Sequence, residues 1–90
     1  MMADDFEMVE DTVRACLVDL LGLSQSRVAA FDEDTPLFGS LPELDSMAVA
    51  TLLTELEDRL GISIDDDEVD IDMFETFGAL VRFAAAKALN

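Results

Sequence analysis

The sequence lacks histidine, tryptophan and tyrosine, and it contains a single cysteine and two prolines. Without histidine, the chain has no imidazole to act as a general base near neutral pH or to bind a metal. The lone Cys16 excludes an internal disulfide and a cysteine metal cluster, and it indicates a reducing compartment. Its spacing from Val9, Val13 and Leu20 predicts a buried, inert side chain. These absences argue against enzymes that use a histidine base and against metal sites built from histidine or cysteine.

Basic residues are also scarce, since five stand against 21 acidic residues and give a formal net charge of −16. A charge of this size repels DNA, RNA and anionic lipid surfaces. We therefore expect no nucleic-acid partner, and we expect partner proteins with basic surfaces.

Long apolar runs are absent as well. A membrane-spanning helix needs about 18 nearly uninterrupted apolar residues, and no segment of this chain approaches that length. The acidic start MMADDFE is unlike the basic start of a secretory or transit sequence. We therefore expect a soluble protein of the cytoplasm. The length of 90 residues predicts one domain over residues 1–90, and we expect a monomer.

Apolar residues recur at steps of three and four in three segments, which is the pattern of amphipathic helices. The first segment ends at Gly22, and its stripe consists of Phe6, Val9, Val13, Cys16, Leu17 and Leu20. The second is expected from Ser46 to Leu60, where Gly61 stops it. Either Asp45 or Ser46 is its N-cap. Its stripe consists of Val49, Leu52, Leu53, Leu56 and Leu60.

The third amphipathic segment predicts a helix that follows the N-cap Thr76. Lys87 lies near its end, where the helix dipole favours a positive charge, and Gly78 weakens its first turn a little. Its stripe consists of Phe77, Leu80, Val81, Ala84 and Ala88.

Two segments between these helices lack a sustained helical period. The stretch from Gly22 to Asp45 predicts a long loop with at most a short turn of helix. Its apolar residues indicate a loop pinned across the helices, and they are Val28, Phe31, Leu37, Phe38, Leu41 and Leu44. The acidic segment from Asp65 to Asp72 is too short for more than one minor helix. Its apolar residues, which we expect to turn inward, are Val69, Ile71 and Phe74. The pattern predicts an all-α fold, a small four-helix bundle of three main helices and one short helix, with a long loop between helices 1 and 2.

The segment LFGSLPELDSMAVATLLTELEDRLGI resembles the attachment site of acyl and peptidyl carrier proteins. The matching residues are Asp45, Ser46 and Met47, the last at a position usually filled by leucine. The order of the helices, the long loop and the final helix opened by FETFGALVRF extend the similarity over nearly the whole chain. The resemblance implies an acyl carrier protein, which is not an enzyme. It carries acyl intermediates as thioesters on a 4′-phosphopantetheine arm bound covalently to Ser46.

The resemblance also implies partners, namely a phosphopantetheinyl transferase, an acyl-loading ligase or acyltransferase, and synthase enzymes with basic docking surfaces. Fatty acyl, polyketide, aminoacyl and D-alanyl cargo all stay open, so a peptidyl or aminoacyl carrier is one alternative. A non-enzymatic acidic helical interaction module, in which Ser46 only caps a helix, is the other. Ala48 and Thr51 are neutral where many family members carry acids, which favours a specialised pathway over housekeeping fatty-acid synthesis.

The second helix also provides candidate contact residues. Those that helical spacing places opposite the core stripe are Met47, Ala50, Thr54 and Asp58. A phosphodiester on Ser46 would lie beside unpaired backbone N–H groups at the positive end of the helix dipole. Partner recognition in such carriers is attributed to this helix and its flanking loop, where the candidates are Glu43, Asp45, Met47, Ala50, Thr54, Glu55 and Asp58. Alternatively, loop residues such as Leu41 cover Met47 and Ala50, which would then contact the long loop and no partner.

Two further hypotheses fail on spacing or residue type. The run DDDEVDID offers carboxylates, the ligands that calcium prefers. An EF-hand loop requires glycine at its sixth position. That position is Asp70 if the loop starts at Asp65, and it is Ile71 if the loop starts at Asp66. We therefore expect a solvated acidic face and no metal site. A serine enzyme would need a histidine, a suitably placed lysine or a GxSxG elbow, and the sequence offers none of them.

Overall fold

The computed structural model describes residues 2–39, 41 and 44–89, without the side chains of Met2, Ala3, Asp4 and Asp66. These residues form four α-helices, which are α1 (Met2–Leu21), α2 (Gln25–Ala29), α3 (Ser46–Leu60) and α4 (Phe77–Ala88). Two 3-10 helices, Asp66–Glu68 and Ile71–Phe74, lie between α3 and α4. The described residues contain no β-strand, so the all-α fold class is confirmed. None of their helices is both long and apolar enough to cross a membrane.

The three predicted stripes meet in one hydrophobic core. Helix α1 packs against both α3 and α4. The side chains with no exposed surface include Val9, Val13, Cys16, Leu17, Leu52, Leu56 and Leu80. Each buried side chain of the Val or Leu type contributes roughly 1.5–3 kcal/mol relative to an exposed one. Burial of these stripes therefore orients α3. The face opposite its apolar stripe, which begins next to Ser46, is exposed to solvent.

Helix α1 begins earlier than its apolar stripe. The stripe starts at Phe6, but the helix starts at Met2. Phe6 is 39% exposed and lines a surface groove with Phe77 and Val81. Near the start of the helix, Asp5 supplies negative charge, which the helix dipole favours. The apolar pattern therefore identifies the part of a helix that packs against other elements. It does not reveal the helical turn that comes before that part.

The long loop is pinned across the helices, as predicted. Its short turn of helix is α2, where the Ser24 side chain accepts a hydrogen bond from the Arg27 N–H. Further on, the loop runs beside the segment that leads into α4. The Leu37 N–H donates to the Glu75 carbonyl at 3.0 Å, and the Phe77 N–H donates to the Thr35 carbonyl at 2.8 Å. The buried apolar side chains of this loop are Leu23, Val28, Phe31, Leu37, Leu41 and Leu44.

The acidic segment differs from the prediction in two ways. It forms two 3-10 turns and not one minor helix, because six of its eight residues are acidic and repel one another. The expectation that Val69 and Ile71 turn inward is wrong, since they are 36% and 58% exposed. The Asp70 side chain caps the second turn, whose last two residues, Met73 and Phe74, are the ones that enter the core. Among the described residues, no group of three or more potential ligands could hold a metal ion.

Gly78 lies where α4 meets the long loop. Its N–H donates to the Glu33 carbonyl at 3.1 Å. A methyl group at this position would lie 2.7 Å from the same carbonyl oxygen and 2.9 Å from the Glu33 Cα. The position therefore requires glycine for close approach of two backbones, which the helical pattern does not reveal.

Replacing Gly78 with alanine should lower the free energy of unfolding by about 1–2 kcal/mol. Alanine gains up to about 1 kcal/mol of helix propensity, but overpacking typically costs about 1–3 kcal/mol. Urea denaturation of the wild type and the variant measures this difference in the free energy of unfolding. Ala86→Gly is the matched control, because Ala86 is exposed on the same helix and should report the propensity effect alone. A Gly78→Ala variant that is more stable than the wild type would contradict this prediction, and it would show that the loop at Glu33 shifts at little cost in free energy.

Candidate functional site

Helix α3 begins with a side-chain cap at Asp45. The backbone of Asp45 is extended, with φ −102° and ψ −174°, and its carboxylate accepts a hydrogen bond from the Ala48 N–H at 2.8 Å. Its carbonyl accepts from the Val49 N–H at 2.9 Å. Of the two residues predicted as N-cap, Asp45 is the one that takes the role.

Ser46 is consequently the first helical residue, and its side chain is exposed. Its hydroxyl makes no hydrogen bond with the described residues. The first N–H groups of a helix have no intrahelical acceptor, and the dipole there favours negative charge. A phosphate ester on this oxygen would therefore be accessible and electrostatically favoured. The alternative that Ser46 only caps the helix is wrong, because Asp45 is the cap.

Met47 lies in the open beside Ser46. Its side chain is 81% exposed, the highest value among the large exposed apolar residues of the described chain. Leu41, which we considered as a cover, is itself buried at 6% exposure and leaves Met47 uncovered. Further along the same face, the exposed residues are Ala50, Thr51, Thr54 and Asp58. The prediction that this face of the helix is exposed is confirmed.

The acidic side chains of α3 are mostly engaged within the chain. Glu55 accepts from the Arg59 guanidinium at 2.7 Å, and Arg59 also pairs with Asp19 of α1 at 2.8 Å. These hydrogen bonds, first that with Asp19 and then that with Glu55, raise the pKa of Arg59 above its usual value. Glu57 accepts from the Ile64 N–H at 2.7 Å. Glu43 lies outside the described residues.

Cys16 does not offer a nucleophile. Its side chain has no exposed surface. Burial raises the pKa of the thiol to about 11, an effect that the positive charge of Arg59 only partly offsets. The reactive species of a thiol is the thiolate, so Cys16 is inert in the folded chain. Any thioester carried by this protein must form on a thiol that the chain itself does not supply.

The sequence matches the family described as a phosphopantetheine attachment site over residues 11–84. It is also similar to the holo acyl carrier protein from Nitrosomonas europaea, whose structure was solved by solution NMR. The two are 41% identical and superimpose with a TM-score of 0.77, and the match covers 87% of this chain and 92% of that chain. This chain belongs to the acyl carrier proteins.

Membership of this family means that the protein carries acyl groups on a covalently attached phosphopantetheine. The described residues fit such a group, because an exposed hydroxyl stands at the first turn of α3, at the positive end of the helix dipole. Carrier proteins of this family interact with transferases and synthases and are generally not catalytic.

Reasoning from the sequence missed some of the residues that shape this site. It did not foresee that Arg59 would tie up Glu55, although their spacing of four residues on a helix was a usable signal. It could not foresee Asp19 as the second partner of Arg59, because that contact depends on how α1 and α3 pack.

Proposed function

We propose that the Ser46 Oγ is the atom that carries 4′-phosphopantetheine. The observation that supports this assignment is a hydroxyl that is exposed at the first turn of α3 and free of any capping role. In the loading step, the Ser46 oxygen attacks the phosphorus of coenzyme A that bears the pantetheine arm. A new Ser46 O–P bond forms as the phosphoanhydride bond breaks, and adenosine 3′,5′-bisphosphate leaves. The arm supplies the thiol on which acyl groups are held as thioesters.

The chain's own part in this chemistry is to present and not to catalyse. It lacks histidine, and Cys16 is buried, so we infer that the base that accepts the Ser46 proton belongs to the transferase. The same argument makes the later acyl transfers the work of partner enzymes. We therefore propose a non-enzymatic carrier that is served by a phosphopantetheinyl transferase, an acyl-loading ligase or acyltransferase, and synthases. One domain over residues 1–90, a cytoplasmic location and a monomeric state stay predictions.

We propose that partners contact the exposed face of α3 and the loop before it. The residues of this contact set are Glu43, Asp45, Met47, Ala50, Thr54, Glu55 and Asp58. The exposure of the Asp58 side chain supports its place in this contact set, because its carboxylate is accessible to a partner. Glu55 contributes less free charge than the sequence suggested, because Arg59 already neutralises it.

Loading of the apo protein tests the assignment of Ser46. The protein is incubated with coenzyme A and a broad-specificity phosphopantetheinyl transferase, and its intact mass is measured. We expect a gain of one phosphopantetheine, which fragmentation of the modified peptide places on Ser46. A protein that gains no mass, or gains it on another residue, contradicts the proposal.

A further inference from the structure

A surface groove of about 360 Å³ lies between α1, α4 and the long loop. We call it the α1–α4 groove. Its apolar lining consists of Phe6, Phe77 and Val81, and its acidic lining consists of Glu10, Asp32 and Glu33. None of the described residues that line it belongs to α3. The groove is therefore separate from the helix that begins at Ser46 and from the partner contacts proposed for that helix.

The apolar floor of the groove is held in place before any partner binds. Phe77 and Val81 are almost fully buried, so their side chains are fixed by the core. The Phe77 ring lies edge-on to the Phe31 ring, with 5.9 Å between the ring centres, and the Arg14 guanidinium lies 4.5 Å from the centre of the Phe77 ring. A surface that is already ordered loses little conformational entropy on binding. The floor can therefore accept an apolar group without rearrangement.

Each carboxylate of the acidic lining keeps one oxygen without a donor among the described residues. Glu10 accepts from Arg14 through Oε2. Glu33 accepts from Arg82 through Oε1, and Asp32 accepts two hydrogen bonds from its own loop, both through Oδ1. A cation in the groove would thus find carboxylate oxygens beside an apolar floor, and charge-assisted hydrogen bonds of this kind are strong.

The ion pair between Arg82 and Glu33 can be exchanged at little cost. The two side chains are 56% and 72% exposed, and exposed ion pairs contribute little to stability. The backbone of Glu33 is fixed separately, because its carbonyl accepts from the Gly78 N–H at 3.1 Å. An incoming lysine or arginine can therefore replace Arg82 as the partner of Glu33 while the loop stays in place.

The open shape of the groove indicates what kind of occupant fits. A small-molecule site usually buries about 70–90% of its ligand, whereas this groove is bordered by exposed side chains, among them Asp32 and Arg82. A protein segment is covered on its other side by its own fold. A second copy of this chain is disfavoured, because each copy has a net charge of −16, and the same charge attracts a basic protein.

We propose that the α1–α4 groove binds a leucine or phenylalanine side chain, with a lysine or arginine beside it, on a basic partner protein. The apolar side chain lies on Phe6, Phe77 and Val81, and the cation pairs with the acidic lining. This contact needs no phosphopantetheine, so the inference does not depend on the assignment of Ser46. A partner held here leaves the exposed face of α3 free for the enzymes that act on the arm.

Titration with a synthetic peptide tests the proposal on the full chain. The probe is acetyl-SKKLLKS-amide, and acetyl-SKKSSKS-amide is the control peptide of equal charge. Binding is followed by the chemical shifts of the backbone amides. We expect the leucine peptide to bind about tenfold more tightly, because apolar anchors dominate such contacts, and to shift the amides of Asp32, Glu33 and residues 77–82. Equal binding of the two peptides, or shifts confined to α3, would overturn the proposal.

A change on the apolar side of the groove gives the second test. Phe6→Ser should weaken binding of the leucine peptide by about tenfold, because it removes an aromatic contact. Met8→Ser is the matched control, since Met8 is also an exposed apolar residue of α1 and does not line the groove. Thermal unfolding of both variants shows that they are folded. Equal losses in the two variants would contradict the assigned position of the apolar side chain.

A change on the charged side should strengthen binding. Arg82→Gln removes the cation that competes for Glu33, so the leucine peptide should bind about threefold more tightly. Arg59→Gln is the matched control, because it removes the same charge from ion pairs on α3. An equal gain in both variants would mean that overall charge and not the groove attracts the peptide, and it would overturn the proposal.

Two further measurements test the other possible occupants. Leucinamide carries an apolar side chain and a cation on a small molecule, and binding as tight as that of the peptide would overturn the assignment to a protein segment. A dimer of the wild type that Phe6→Ser dissociates would show that a second copy fills the groove. Ser46→Ala should bind the leucine peptide as the wild type does, so a failure of loading and a failure of docking are seen in separate experiments.

Discussion

Replacing Ser46 with alanine should abolish loading and leave the fold unchanged. No phosphodiester can form without the hydroxyl, so the intact mass should show no gain at any enzyme concentration. The free energy of unfolding should stay within about 0.5 kcal/mol of the wild type, as is usual for an exposed position without a structural role. The physical reason is that Asp45, and not Ser46, caps α3. Mass spectrometry and urea denaturation measure the two quantities on the same sample.

Asp45→Ala is the matched variant, because it removes the cap and keeps the hydroxyl. It should lower the free energy of unfolding by about 1 kcal/mol, the usual cost of a lost N-cap. Loading should still reach completion on long incubation, since the acceptor oxygen is intact. The two neighbouring residues would then have separable roles, one structural and one chemical. A Ser46→Ala variant that is destabilised by more than 1 kcal/mol, or that still gains mass, contradicts this division.

That division could not be made from the sequence. Aspartate and serine are both strong N-cap residues, so the pair Asp45 and Ser46 leaves two ways to start the same helix. Which of the two is the N-cap depends on which residue has an extended backbone. The path of the preceding loop determines that conformation. The helix itself was predictable from about Ser46 to Leu60, and the structure has these bounds. Its apolar stripe is unbroken, and Gly61 ends it with a positive φ of 64°.

Elsewhere, the apolar pattern failed where the geometry of a turn or a distant segment decides which residues are buried. Ile71 was expected in the core because it is apolar, but the cap at Asp70 fixes the turn so that Met73 and Phe74 enter the core in its place. Gly78 was interpreted as a weak helical residue, although its place is set by the Glu33 backbone, which lies 45 positions earlier in the chain. Periodicity reports which face of an element is buried and not which loop lies against it.

Arg14 is another residue whose role no local pattern indicates. It lies next to Val13 of the α1 stripe, yet its guanidinium donates to the carbonyls of Val28 and Phe31 in the long loop. It also pairs with Glu10 at 2.6 Å and lies 4.5 Å from the centre of the Phe77 ring. The Arg14 side chain thus connects the long loop with two helices, and it is only 22% exposed.

Replacing Arg14 with methionine should therefore lower the free energy of unfolding by about 3 kcal/mol. Hydrogen bonds from a charged donor are each worth about 1.5–3 kcal/mol, and a cation over an aromatic ring adds about 0.5–1 kcal/mol, with partial screening because the site is not fully buried. Methionine keeps a long apolar stem against Phe77, so the loss isolates the guanidinium. For a domain of this size the melting temperature should fall by more than about 10 °C, which circular dichroism measures.

Arg82→Met is the control that makes this prediction decisive. It removes the same charge from the same residue type, but Arg82 is 56% exposed and pairs with Glu33, which is 72% exposed. Exposed ion pairs contribute about 0–1 kcal/mol, so this variant should lose less than about 1 kcal/mol. Because both variants raise the net negative charge equally, general repulsion cancels between them. Equal losses would mean that overall charge limits the stability of this fold, and that the contacts of Arg14 with the Val28 and Phe31 carbonyls do not.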